Sequence, residues 1–156
     1  MLIVINPHDI EHEVDYSRYK SVYSIFLAGT IDDGNSTDWQ AKYIEQMKSI
    51  YDNLDDCCLI IYNPRRNNWD ENDLDYQIQW ELEHMEMASM IFMNLLPNSK
   101  SPISLMELGL FAHTNKLRVV CPKEFYRYHN VKAVCDKYLI PFKEKLEHNW
   151  SFYPKD

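Results

Sequence analysis

The sequence lacks several features that would place a protein in a well-defined class. No apolar run approaches the roughly 18–20 residues that a membrane span needs, so no membrane partner is expected. Basic residues are scarce, because 16 lysines and arginines stand against 24 aspartates and glutamates, for a formal net charge of −8. Proteins that bind nucleic acid polymers neutralise phosphates with a basic surface, and this charge argues against that class. A small anionic ligand stays compatible, since a few local arginines and backbone amides can hold it.

Cysteine and histidine patterns typical of metal sites are also missing. The four cysteines include the adjacent pair Cys57 and Cys58, which fits neither a Cys-x-x-Cys zinc pair nor a redox dithiol. We interpret all four as reduced packing residues of a cytoplasmic protein. The six histidines show no His-Glu-x-x-His spacing, and no Gly-x-Ser-x-Gly elbow of a serine hydrolase occurs. The sequence therefore predicts a site without metal or cofactor.

Short apolar runs alternate with amphipathic segments along the chain. The apolar runs predict strands at residues 2–6, 22–28, 59–62, 90–96 and 118–121. The amphipathic segments predict helices from near residue 39, over 76–87, over 104–115 and, with a break at Pro141, over 131–148. This alternation predicts one α/β domain over residues 1–156. Its architecture is a three-layer sandwich around a mostly parallel, flavodoxin-like sheet of about five strands.

Ligands of such sheets bind beyond the carboxyl ends of the strands. Three loops meet there, after Ala28, after Tyr62 and after Leu96. Gly29 and Thr30 open the first loop and could form an anion or sugar cradle, although a plain tight turn fits equally well.

Arg65, Arg66 and Trp69 lie in the second loop. Two adjacent arginines and a tryptophan at this edge of the sheet can grip an anion or stack a base. A solvated, charged loop is the alternative interpretation.

Two carboxylates are candidates for catalysis. Glu107 has apolar neighbours and falls in the first turn of the predicted helix at 104–115. It can act as a nucleophile on an anomeric carbon, or form a capping box with Ser104. Glu81, on the preceding helix, can serve the departing group, or can belong to a solvated acidic face with Glu83 and Glu86.

Several short motifs, taken together, resemble the nucleoside 2-deoxyribosyltransferase family and its related deoxynucleotide N-glycosidases. The resemblance extends over residues 23–122. The motifs are Phe26-Leu-Ala-Gly-Thr-Ile31, Tyr62-Asn-Pro-Arg-Arg66 with Trp69, Gln77-x-x-Trp80-Glu81, Ala88, and Ser101 followed by Glu107-Leu-Gly109.

The resemblance implies roles for particular residues. The family's nucleophile, the glutamate of its Glu-Leu-Gly motif, falls on Glu107, and an acidic residue that is Asp in better-studied members falls on Glu81. Phe26 stands where the family often has a tyrosine beside the nucleophile. Nucleoside transferases have Asp six residues before the nucleophile, whereas deoxynucleotide hydrolases have Ser, as Ser101 is here. Together with Arg65, Arg66 and Thr30, this serine favours a monophosphate ligand.

The expected function is therefore glycosyl transfer or hydrolysis at the N-glycosidic bond of a 2-deoxyribonucleoside or its 5′-monophosphate. The expected partners are that small molecule and a free base, in a homo-oligomer. Two alternatives stay open: an N-glycosidase acting on another nucleotide, such as an NAD-like ligand, and a non-catalytic nucleotide-binding module.

Overall fold

The computed structural model describes residues 1–9, 14–66 and 70–146. Within these ranges the strands are β1 Leu2–Ile5, β2 Ser21–Gly29, β3 Cys57–Tyr62, β4 Met90–Asn94, β5 Leu117–Val120 and β6 Phe142–Lys143. The α-helices are α1 Trp39–Tyr51, α2 Leu74–Met87, α3 Pro102–Phe111 and α4 Tyr128–Lys137. In this part of the chain no helix is long and apolar enough to cross a bilayer.

The six strands form a single sheet in the order β1-β3-β2-β4-β5-β6, and every ladder is parallel. Without β1, which pairs with β3 at the edge, the order is that of the flavodoxin-like sheet. The predicted α/β architecture is confirmed. The described sheet has one strand more than predicted and is parallel throughout.

The extra strand replaces part of a predicted helix. Residues 131–148 were expected to be helical with a break at Pro141, and positions 147 and 148 lie outside the described residues. Helix α4 ends at Lys137, and strand β6 follows Pro141. Proline cannot continue a helix, because it has no backbone N–H. The Pro141 carbonyl instead accepts the Val119 N–H at 2.9 Å, which extends the ladder to β5. Two residues are too few to show strand alternation in the sequence.

Side chains of β2 alternate between two helical layers. Phe26 and Ala28 belong to the core that packs under α2, α3 and α4. Ile25 and Leu27 belong to the core under α1. In that core Tyr43 of α1 stacks on Phe92 of β4, with 4.8 Å between the ring centroids. Each fully buried large apolar side chain contributes about 1.5–3 kcal/mol. The near-continuous apolar character of the strands follows from this burial on both faces.

The topological switch point lies between β2 and β4. The chain leaves β2 for β3 on one side and later passes to β4 on the other. Sheets of this kind bind their ligands at the carboxyl ends of the two strands that flank such a point. Gly29 ends β2 there, with φ +119°, and a Cβ on it would lie 2.1 Å from the Asn94 carbonyl oxygen. Only glycine therefore allows β2 and β4 to approach each other this closely.

Candidate active site

Helix α3 presents three polar residues to the protein interior. It begins at Pro102, whose ring is preorganised for the first helical position, with Ser101 as the N-cap residue. Ser101, Ser104 and Glu107 follow at intervals of three and are all buried. The helix starts earlier than predicted, so Glu107 lies in its second turn and Ser104 inside the helix. The capping-box interpretation is therefore wrong.

The environment of Glu107 favours its protonated form. Glu107 is only 7% exposed. Burial raises the pKa of Glu107 to about 8, and the charge of Glu81 makes a smaller contribution to this rise. A charged carboxylate loses hydration on burial, and a second carboxylate nearby repels it. The effect of the Glu81 charge places that residue of α2 within electrostatic range of Glu107.

Glu81 is held by the residue one helical turn before it. The Gln77 amide Nε2 donates to Glu81 Oε1 at 2.5 Å and to the Pro64 carbonyl at 3.0 Å. Burial raises the pKa of Glu81, while the Gln77 hydrogen bond and the charge of Arg66 offset part of the rise. Helix α2 thus turns Gln77 and Glu81 toward the sheet edge, whereas Glu83 and Glu86 are exposed. The solvated acidic face includes only these last two.

Two carboxyl groups that share a water-poor site do not both ionise near neutral pH. The charge of Glu81 raises the pKa of Glu107, so ionisation of the first carboxyl disfavours ionisation of the second. Such a pair offers one ionised and one protonated carboxyl at the same time. A nucleophile must be ionised and a general acid must be protonated, so such a pair can fill both roles.

A chain of buried hydroxyl groups lies at the start of α3. Thr30 Oγ1 is 2.7 Å from Ser101 Oγ, which is 2.8 Å from Ser99 Oγ, and Ser99 Oγ donates to Asp32 Oδ1 at 2.7 Å. Thr30, Ser99 and Ser101 are all buried, and Asp32 is exposed. This hydroxyl chain connects the loop after β2 with the loop after β4, across the switch point.

The backbone of Thr30 is fixed on both sides. Its N–H donates to the Asn94 carbonyl at 3.0 Å, and its carbonyl accepts from Trp39 Nε1 at 2.9 Å and Gln40 Nε2 at 3.4 Å. The backbone of Thr30 is therefore joined by hydrogen bonds to both β4 and α1. Gly29 itself provides the close approach to the β4 backbone described above, and the cradle role predicted for Gly29 and Thr30 stays a prediction.

The two arginines of the second loop contact protein groups. Arg65 Nη2 donates to the carbonyls of Gly34 at 2.8 Å and Ser36 at 2.7 Å, and its Nε lies 3.5 Å from Asp38 Oδ2. Arg66 Nη1 lies 3.6 Å from Asp73 Oδ2. The alternative of a solvated loop is wrong for both side chains. Their predicted phosphate contact stays a prediction, and Trp69 lies outside the described residues.

Sequence reasoning missed three residues of this site: Gln77, Asp32 and Ser99. The spacing of four between Gln77 and Glu81 on a helix is a signal for the first. A second signal is the density of hydroxyl residues after β4, but it does not reveal the partner Asp32. In the part of the chain that the structure describes, no group of three His, Cys, Asp or Glu side chains can hold a metal ion.

The family described as "Nucleoside 2-deoxyribosyltransferase like" matches residues 22–125. The chain belongs to this family. The match covers well over half of the chain and includes Thr30, Glu81, Ser101 and Glu107. A search of curated proteins finds no match to the chain.

Membership in the nucleoside 2-deoxyribosyltransferase-like family agrees with the resemblance stated for residues 23–122. The family indicates a glycosyl-transferring enzyme whose substrates are nucleoside-type small molecules. Among the described residues, the hydroxyl chain lies at the switch point of the sheet, where this fold binds ligands, and the carboxyl pair lies on the two helices α2 and α3 that flank strand β4 in sequence.

Proposed function

We propose that the protein catalyses transfer or hydrolysis at the N-glycosidic bond of a 2-deoxyribonucleoside or its 5′-monophosphate. Glu107 is the nucleophile, and Glu81 is the proton donor to the departing base. The observation that supports this proposal most is the raised pKa of both carboxyl groups, of the buried Glu107 and of the half-buried Glu81.

The reaction proceeds in two steps. The reacting state is the one in which the proton of the pair has moved from Glu107 to Glu81. The Glu107 carboxylate forms a bond to C1′ as the C1′–N bond breaks, and the bond electrons leave with the base, which takes the proton of Glu81. Glu81, now ionised, then accepts a proton from a second base or from water as that group attacks C1′ and releases Glu107. The acceptor decides between transferase and hydrolase.

Gln77 and Ser104 take supporting roles in this proposal. Gln77 orients the Glu81 carboxyl through its 2.5 Å hydrogen bond. Ser104 lies on the same buried face of α3 as Glu107, one turn nearer the hydroxyl chain, and is assigned to substrate binding with Gly29, Thr30 and Ser101.

Phe26 favours a second candidate function, that of a non-catalytic nucleotide-binding module. The ring of Phe26 is 1% exposed and lies 6.1 Å from that of Trp80, and it has no hydroxyl to offer a carboxylate. A hydrogen bond to the charged form would lower the pKa of Glu107, so a phenylalanine here is consistent with the raised pKa. The same feature slows a reaction that needs the ionised carboxylate.

The test is to incubate the protein with 2′-deoxynucleosides and their 5′-monophosphates, with and without a free acceptor base, and to measure released and exchanged base by chromatography. We expect a 2-deoxyribose substrate to react faster than its ribose counterpart, because the family mechanism leaves little room for a 2′-hydroxyl beside the carboxylate. Equal or faster ribonucleotide cleavage would favour the N-glycosidase alternative. Binding without release of any base would favour the binding module.

We also propose that the protein forms a homo-oligomer through α3. This helix is apolar on its outer side as well, where Ile103, Met106 and Leu110 are 56%, 62% and 50% exposed at helical spacing. An apolar patch on a helix surface typically marks an interaction site. Light scattering should give a mass above one chain, and Met106→Glu should reduce it. A monomeric wild type would contradict the proposal.

A further inference from the structure

The hydroxyl chain has a defined direction because one end is a carboxylate. A carboxylate only accepts hydrogen bonds, so the single proton of Ser99 Oγ points to Asp32 Oδ1. Ser99 Oγ then accepts the Ser101 N–H at 3.1 Å and the Ser101 hydroxyl at 2.8 Å. The Ser101 proton therefore points toward Ser99 and is used within the protein.

The other end of the chain is set in the same direction. The Leu96 N–H donates to Thr30 Oγ1 at 2.9 Å, which leaves the Thr30 proton to donate to Ser101 Oγ at 2.7 Å. Each hydroxyl has one proton. With Asp32 as the acceptor at the end, all three protons are used within the protein.

A phosphate group and a sugar hydroxyl place opposite demands on this chain. Phosphate oxygens are acceptors and need donors, whereas a sugar hydroxyl brings its own proton and can donate to Asp32 or to a serine oxygen. The Asp32 carboxylate also lies only two hydrogen bonds from Ser101 Oγ, where its charge repels an anion. Arg65, one of the two arginines expected to bind a phosphate, instead donates to the carbonyls of Gly34 and Ser36.

We propose that Asp32 is a specificity-determining residue, which sets the site for an uncharged nucleoside and against its 5′-monophosphate. This inference rests on the proposed function for the identity of the ligand. It differs from the sequence-based expectation that Ser101 and the arginines favour a monophosphate. The serine hydroxyl is present, but Asp32 determines where its proton points.

The substitution Asp32→Asn tests this inference directly. Asp32 has a left-handed backbone with φ 51°, a conformation that asparagine also adopts readily, so the variant should fold. The asparagine amide can donate to Ser99 Oγ, which releases the Ser99 proton and allows the chain to reverse. Asp33→Asn is the matched control, because Asp33 is adjacent, exposed, left-handed at φ 53° and identical in charge.

The first measurement is calorimetric binding of a 2′-deoxynucleoside and its 5′-monophosphate, in a Glu107→Gln background that prevents turnover. We expect Asp32→Asn to raise the affinity for the monophosphate relative to the nucleoside by about tenfold, and Asp33→Asn by less than about threefold. If the protein with Asp32 intact already prefers the monophosphate, or if the two variants change the ratio equally, the inference is wrong.

The second measurement uses inorganic phosphate, and so does not depend on the proposed reaction. In NMR titrations of proteins with Glu107 intact, Asp32→Asn should show saturable shifts of the Thr30 and Ser101 amides that Asp33→Asn lacks. Phosphate binding to Asp32→Asn without nucleoside binding to any variant would support the inference and overturn the proposed function. Equal phosphate responses in the two variants would overturn the inference, whatever the nucleosides do.

A third variant covers the case that Asp32→Asn does not fold. Ser99→Ala removes the link between Asp32 and Ser101, so the Ser101 proton becomes available while the Asp32 charge stays. We expect its phosphate affinity to rise above that of wild type by a smaller factor, about threefold. An unchanged affinity in folded Ser99→Ala protein would contradict the proposed direction of the chain.

Discussion

The carboxyl pair and the hydroxyl chain contain the same chemical group in different surroundings. In the carboxyl pair, Glu107 is only 7% exposed, and burial raises its pKa to about 8. In the hydroxyl chain, Asp32 is exposed and accepts the last proton of three buried hydroxyls. The carboxyl pair has a proton that it can donate to a substrate, whereas the protons of the hydroxyl chain are all used within the protein. The difference shows that access to water, more than residue type, decides what a carboxyl does in this site.

The largest expected effect comes from removing the nucleophile. Glu107→Gln should reduce base release by at least about a thousandfold, because an amide cannot form the glycosyl ester. The control is Glu86→Gln, which changes an exposed glutamate of α2. Turnover near the wild-type level in folded Glu107→Gln protein would show that the carboxyl pair has no covalent role.

A smaller loss is expected for the other member of the pair. Glu81→Gln should reduce kcat/KM by about a hundredfold, since the departing base loses its proton donor. In the wild type, kcat/KM should fall as pH rises through about 8, where the pair loses its last proton. This decline should be absent in Glu81→Gln. A pH profile of the variant that still falls at the same pH would place the essential proton elsewhere.

Gly29, which precedes the first residue of the hydroxyl chain, allows a test of the close approach between β2 and β4. Gly29→Ala should lower the free energy of unfolding by about 3–5 kcal/mol, because the new Cβ meets the Asn94 backbone in a left-handed region. Gly109→Ala is the matched control. A Cβ there meets nothing within 4 Å, so alanine should stabilise α3 by about 0.5–1 kcal/mol. Equal effects in chemical denaturation would mean that the two strands do not require this close approach.

The smallest effect concerns stability and pH. The folded protein holds the Glu107 proton more tightly than the unfolded chain, because its pKa is raised from 4.5 to about 8. The resulting stabilisation is complete below pH 4.5 and is lost as pH rises through 8. Glu107→Gln keeps it, so the free energy of unfolding of this variant should exceed that of wild type by up to about 4 kcal/mol at pH 8 and match it at pH 4. Parallel stability curves would show that Glu107 titrates normally.

Much of the fold could be predicted from local pattern. Buried strands are short apolar runs, and β2 through β5 were found within a few residues of their positions. The exceptions have local causes of their own. Strand β6 is too short to show a period, and α3 starts earlier because Pro102 is a good first helical residue.

The candidate site was predictable only in its carboxylates and in the loops that would meet. Glu107 and Glu81 were visible as acidic residues in apolar or motif contexts. The partners of Arg65 were not, because a guanidinium at a loop can contact solvent, ligand or backbone, and the sequence does not distinguish these. Its hydrogen bonds to Gly34 and Ser36 cross the sheet edge between two loops.

The sequence by itself determined the alternation of strands and helices, the family, and the presence of two glutamates and several hydroxyl residues near one edge. Each of these depends on neighbours within a few positions. Only the tertiary structure decided which carboxyl keeps its proton and which way the hydroxyl protons point. Asp32 and Ser99 are 67 positions apart, and their hydrogen bond exists only because β2 and β4 are adjacent. The desolvation of a carboxyl group and the direction of a hydrogen-bond chain both depend on contacts between residues that are far apart in the sequence. A local sequence pattern therefore cannot predict them.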